Sequence, residues 1–199
     1  MNAARPRWGM PMNLRMKLFR LPHYWLAGVA TLLAASLAQA EPYGFKNVAL
    51  GSHLSLIANN PKFDCRPVKT PIGDRVCSLG KDETETIASV PVVSMFYFYD
   101  QSALTGITIG LEEKSFQAVV KALGDKYGVP ARSAETIRNL SGSSFENRIY
   151  TWRQADQSIV AKRYSGRLDR STIRILDETA AARIRQRRES LSKQPEQDL

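Results

Sequence analysis

Cysteine and histidine are scarce in this chain of 199 residues, which has two of each. Only one histidine, His53, lies beyond residue 40. A zinc site takes three or four side-chain ligands, so this supply argues against zinc and iron centres. There is no Cys-x-x-Cys, no Gly-x-Ser-x-Gly, no phosphate-cradling glycine loop and no dinucleotide fingerprint. No cofactor and no metal are expected. A Ser-His-Asp triad would have to use His53, which sits beside Leu54 in a helix-spaced apolar segment and reads as structural. Long apolar runs are lacking too. Crossing a bilayer takes about 20 apolar residues, and the run from Trp25 to Leu37 is shorter.

What surrounds that run explains it. Arg5, Arg7, Arg15, Lys17 and Arg20 precede it with no acidic residue among them, and Ala38-Gln39-Ala40 closes it. Basic, apolar and small-residue segments in that order make a secretory signal, so residues 1–40 are expected to be cleaved, leaving Glu41 first. Met12 and Met16 are alternative starts that leave this reading unchanged. No cysteine stands near the cleavage point, so no lipid attachment is expected, and the arginines are scattered rather than in tandem. The expected location is periplasmic or secreted, with no transmembrane helix after cleavage. The whole chain has 28 basic and 19 acidic residues; the signal holds five of the basic ones, so 23 against 19 remain, a net charge of +4. A nucleic-acid reading built on the full +9 would therefore rest largely on a removed segment, and nucleic acid is not an expected partner. The remaining basic excess gathers after Pro130, suited to a solvated surface or to an anionic envelope component or acidic protein.

The two cysteines, Cys65 and Cys77, are expected to form one disulfide in an oxidising compartment. They flank Thr70-Pro71-Ile72-Gly73, a turn sequence, and a five-residue loop between Val68 and Asp74 would set them opposite each other. His53 to Ala58 reads as a short helix with Ser52 as its N-cap. Val92 to Tyr99 is apolar or aromatic on both faces and reads as an inner strand, and Leu104 to Leu111 as its half-buried partner. Glu112 to Tyr127 carries Phe116, Val119, Val120, Leu123 and Tyr127 at helical intervals, with Gly128 and Pro130 ending it. Ala131 to Ser144 reads as polar and irregular. Strands follow at Phe145 to Arg153, Ser158 to Tyr164 and Ser171 to Leu176, then a helix from Thr179 to Arg188.

The expected fold is α+β: one domain over residues 41–190, with an antiparallel sheet and helices packed on one face, and a flexible tail over 191–199. Helix followed by antiparallel strands occurs twice, around 52–111 and 113–176. The cysteine pair, Thr86-Ile87-Ala88-x-Val90-Pro91-Val92, Lys126-Tyr127-Gly128-Val129-Pro130 and the hairpin holding Trp152 resemble small uncharacterised periplasmic proteins of proteobacteria over most of residues 44–176. In architecture the chain is also similar to the modules of outer-membrane assembly lipoproteins and to a secreted β-lactamase inhibitor protein. That resemblance implies a binding role, on fold analogy alone.

Two carboxylate pairs, Glu112-Glu113 and Asp177-Glu178, stand where helices start and read as helix-end electrostatics. Among the aromatics, Phe96 and Phe98 are expected in the core. Tyr150, Trp152 and Tyr164 stand beside Arg148, Arg153 and Arg163, where core and contact surface are both open readings. Alternation puts Arg148, Tyr150 and Trp152 on one face and Ile149 and Arg153 on the other. The expected contact residues are Arg148, Trp152, Arg153, Arg163 and Tyr164. The function expected is a non-catalytic interaction protein that contacts an envelope protein or an anionic envelope component. The alternatives are an envelope hydrolase using scattered carboxylates and a small-ligand carrier, which needs an enclosed apolar cavity.

Overall fold

The computed structural model describes residues 41–139 and 141–192. The expected signal segment and the tail from residue 193 lie outside the described residues. Eight strands form one antiparallel sheet: β3 (Phe63–Thr70), β4 (Gly73–Leu79), β7 (Ser94–Asp100), β8 (Ala103–Glu112), β12 (Arg170–Asp177), β11 (Gln157–Lys162), β10 (Ser144–Gln154) and β9 (Ala131–Arg138), in that spatial order. Two small hairpins accompany it, β1 (Gly44–Phe45) with β2 (Val48–Ala49), and β5 (Thr86–Ile87) with β6 (Val90–Pro91). The helices are α1 (Ser55–Ala58), α2 (Phe116–Tyr127) and α3 (Glu178–Ser192). The chain is thus mainly antiparallel β, with less helix than α+β suggested. Each half is a helix followed by a four-stranded meander, and the two meanders join where β8 pairs β12.

Period-two alternation decides the faces of the sheet. Ile107, Ile109 and Leu111 on β8 lie level with Tyr97 and Met95 on β7 and with Ile175, Ile173 and Ser171 on β12. These side chains are buried. Over them pack Ile57 of α1, Phe116, Val119, Val120 and Leu123 of α2, and Tyr43, Phe45 and Leu50 around the first hairpin, in one continuous core. Gly128 ends α2 with φ +83°, a backbone angle that glycine tolerates.

The opposite face carries Leu176, Gly106, Phe98 and Val76 in one row. Here the expectation of helices on a single face is corrected, because α3 crosses this face. Ser158 donates to Glu178 at its start (2.7 Å), and near its end Arg187 pairs with Asp100 (2.5 Å) and Arg188 donates to the Gly73 carbonyl (3.0 Å). Ala180, Ala181 and Ile184 are buried there with Val76 and Leu176, apart from the main core. A Cβ at Gly106 would start 3.2 Å from Leu176 Cδ1, so a side chain there would require Leu176 to shift by a few tenths of an ångström. Asp177 caps α3 by accepting the Ala180 N–H at 2.7 Å.

Three further expectations change. Cys65 and Cys77 are cross-strand partners joined in a disulfide, but the turn holds two residues, Pro71 and Ile72. A bulge between Pro67 and Thr70 absorbs the extra residue and restores the register. Residues 131–138 form the edge strand β9 rather than an irregular segment. An edge strand that is exposed on nearly every side chain has no apolar alternation to reveal it. Phe96 and Phe98 are half-buried on the α3 side of the sheet, not in the main core.

Candidate functional site

Strand β10 alternates as the sequence indicated, and that alternation divides the expected contact residues. Trp152 lies level with Ile159 on the core side, is 3% exposed, and donates its indole N–H to the Gly128 carbonyl at 2.8 Å. Of the two readings the sequence left open for Trp152, the structure has the core one: the residue fastens the end of α2 to the sheet. Arg148 is on the same side of the strand, nearer the edge, and pairs with Glu146 at 2.6 Å. That hydrogen bond raises the Arg148 pKa further, so the guanidinium stays charged. Arg163 pairs with Glu113 at 2.5 Å, with its guanidinium carbon 4.8 Å from the Tyr164 ring centre. Arg153 is exposed on the opposite side, level with Ser158. Tyr164 packs edge-on against Phe145 at 6.2 Å. The five residues do not form one surface.

The opposite side of the second half holds a groove of about 1270 Å³. Its floor is sheet: Val160, Thr172, Arg174 and Leu176. The segment from Tyr164 to Asp169 walls one side, Glu178 and Arg185 of α3 border another, and β9 closes a third with Glu135 and Ile137. Asn147 braces the wall. It is 2% exposed, donates to the Tyr164 carbonyl at 3.0 Å and to Glu135 at 2.9 Å, and accepts the Tyr164 N–H at 2.8 Å. Of the five expected contact residues only Tyr164 lines this groove, and Arg153 stands beside its Ser158.

The floor extends sideways as a cross-strand row. Val160 is paired with Arg174, Arg174 with Thr108, Thr108 with Phe96 and Phe96 with Ser78. A half-buried phenylalanine thus stands in the same row as a groove arginine. Arg174 and Arg185 belong to the basic excess after Pro130, but neither they nor Arg138 were among the expected contact residues; the three come from β12, α3 and β9 and line one groove only through the fold. One signal was present. From Ser171 to Leu176 the apolar Ile173 and Ile175 alternate with Thr172 and Arg174, so one face of that strand is polar.

The carboxylates of the groove are engaged. Glu135 accepts from Asn147 and pairs with Lys162 at 3.2 Å, and Glu178 accepts from Ser158. Arg167 grips Asp169 with two bonds, at 2.9 and 3.1 Å, and these hold the carboxyl below its usual pKa. His53 accepts the Ser55 N–H at 3.2 Å at the start of α1, a structural task. No group of three or more potential metal ligands occurs among the described residues. No helix among them is long and apolar enough to cross a membrane. Comparison with protein-family models, with curated proteins and with solved structures finds no match to this chain.

Proposed function

We propose that the mature chain is an exported, non-catalytic interaction protein of the periplasm or the extracellular medium, and that the groove on the α3 side of the sheet is its contact surface. The observation carrying this reading is the groove itself: about 1270 Å³, floored by sheet and lined by arginine, tyrosine and aliphatic side chains. Arginine and tyrosine are the residue types that concentrate binding energy at interfaces. Export is supported by the order of charge and apolarity in residues 1–40 and by the Cys65–Cys77 disulfide. Edman sequencing of the protein recovered from the periplasm is expected to begin at Glu41; a retained apolar segment would count against a freely exported product.

The hydrolase alternative, placed in the same groove, finds less support. A pair of carboxyls working on a substrate must be free to meet it, and the groove's carboxylates are each engaged: Glu135 by Asn147 and Lys162, Glu178 by Ser158 and Asp169 by Arg167. The carrier alternative asks for an enclosed apolar cavity, whereas this groove mixes polar with apolar walls. The binding reading is tested by capture from envelope extract with wild type and with Val160→Glu, which places a carboxylate on the floor beside Arg174. One partner held by wild type and lost by the variant, with the fold retained, is the expected result. Equal capture by both would remove the groove from the reading.

A further inference from the structure

The groove is unequally charged once its internal pairs are taken out. Lys162 is paired with Glu135 and Arg167 with Asp169, while Glu178, held by the neutral Ser158 hydroxyl, keeps its negative charge, so three guanidiniums stand against one carboxylate. Arg138, Arg174 and Arg185 also line it, and none of them forms an ion pair among the described residues. They approach from the edge strand, the floor and the crossing helix respectively, so their charges surround the space between. Like charges gathered around a recess favour an anionic occupant. A guanidinium fork fits a carboxylate through two parallel hydrogen bonds.

We infer that the occupant is an extended acidic segment of another polypeptide, one that alternates carboxylate with aliphatic side chains. The inference rests on the groove being the contact surface. Shape favours a segment over a membrane: the groove is bordered by the Tyr164–Asp169 segment, by β9 and by α3, a recess that suits a narrow chain better than a planar headgroup layer. Chemistry favours polypeptide over a bare polyanion, because Val160, Leu176, Leu168 and Ile137 offer aliphatic contact between the cations. Size agrees as well. The groove spans four strands, β9 to β12. At ~4.8 Å between strands that is about 14 Å, the length of roughly four extended residues.

The test uses amide chemical-shift mapping on the disulfide-intact protein with three probes: a short peptide alternating Glu with Leu, its Gln counterpart, and phosphatidylglycerol vesicles. The Glu peptide is expected to shift amides of β11, β12 and the 164–169 segment. Arg174→Glu combined with Arg185→Glu should weaken it about tenfold or more, since two favourable charge contacts become repulsive. Both arginines are exposed, so the fold should survive, and unperturbed amides on the core side would confirm that. If the Gln peptide binds in the groove as tightly as the Glu peptide, the acidic assignment is wrong while the contact surface stands. If vesicles but not peptide shift the groove, the occupant is a lipid surface and the inference is overturned. If no probe shifts it and Val160→Glu leaves capture intact, both the inference and the surface it rests on are refuted.

Discussion

At the scale of single residues, the same chemistry serves opposite ends depending on burial. Trp152 is the clearest example. Its ring is covered, and its one donor is spent on the Gly128 carbonyl. Trp152→Ala is expected to cost about 3–5 kcal/mol, as large aromatic deletions do. Trp152→Phe should cost less but still lose the hydrogen bond, worth about 1 kcal/mol. Urea titration of both variants checks this, and a surface role would show as a near-zero change. Tyrosine provides the pH response. Burial pushes the Tyr99 phenol up to about 12, and burial with the neighbouring Tyr99 and Glu85 raises Tyr97 as well. The Tyr99 hydroxyl has no hydrogen-bond partner among the described residues. Unfolded tyrosine ionises near 10. Above that pH the unfolded chain releases protons that the folded chain keeps, so stability falls as pH rises. Alkaline unfolding is therefore expected between about pH 10 and 12, followed by tyrosinate absorbance. Tyr99→Phe should move the transition to higher pH.

At the scale of elements, α3 is held by one apolar patch and a few polar ties, and those ties are unequal. Asp100 is 6% exposed at its side chain and Arg187 40%. Removing the arginine strands a buried carboxylate, while removing the aspartate leaves a guanidinium that can reach water. Arg187→Ala should thus destabilise by about 1–3 kcal/mol, more than Asp100→Ala, and a double-mutant cycle measures the difference. The disulfide ties β3 to β4 across 12 residues of sequence. Replacing both cysteines by alanine is expected to lower stability by about 3 kcal/mol without dissolving the sheet, as thermal melts would show. Elements with a strong apolar period were legible in the sequence: α2, β7, β8, β10, β11 and β12 all form close to where alternation or helical spacing set them. What was not legible depends on contacts between elements. The exposed edge β9 has no period to read. The β3 bulge is local geometry that leaves no apolar mark. The placement of α3 follows from Leu176, Gly106 and Val76 offering a second apolar patch, distant in sequence, and with α3 came one border of the groove.

At the scale of the whole molecule, the question is whether two helix-plus-meander halves behave as two units. Each half has its own helix and four strands, which invites independent folding. The packing argues otherwise. The seam is the middle of the sheet, where Ile107 and Ile109 of the first half lie level with Ile175 and Ile173 of the second, all essentially inaccessible. Splitting the chain there would expose the most deeply buried row and leave β8 and β12 as hydrophobic edges, which soluble sheets avoid. A single core cluster also runs from Phe63 and Tyr97 through Phe116 to Trp152, so neither half encloses a core of its own. Unfolding should therefore be one cooperative transition. Trp152, the only tryptophan beyond residue 40, reports the second half by fluorescence. Hydrogen exchange at Val76 and Phe98, inner positions of β4 and β7, reports the first. The two probes are expected to give the same unfolding free energy, and Ile109→Ala at the seam should lower both equally. A first half that opens at markedly lower free energy than the second, with Trp152 still buried, would mean that the symmetry of the sheet marks two separable folding units after all.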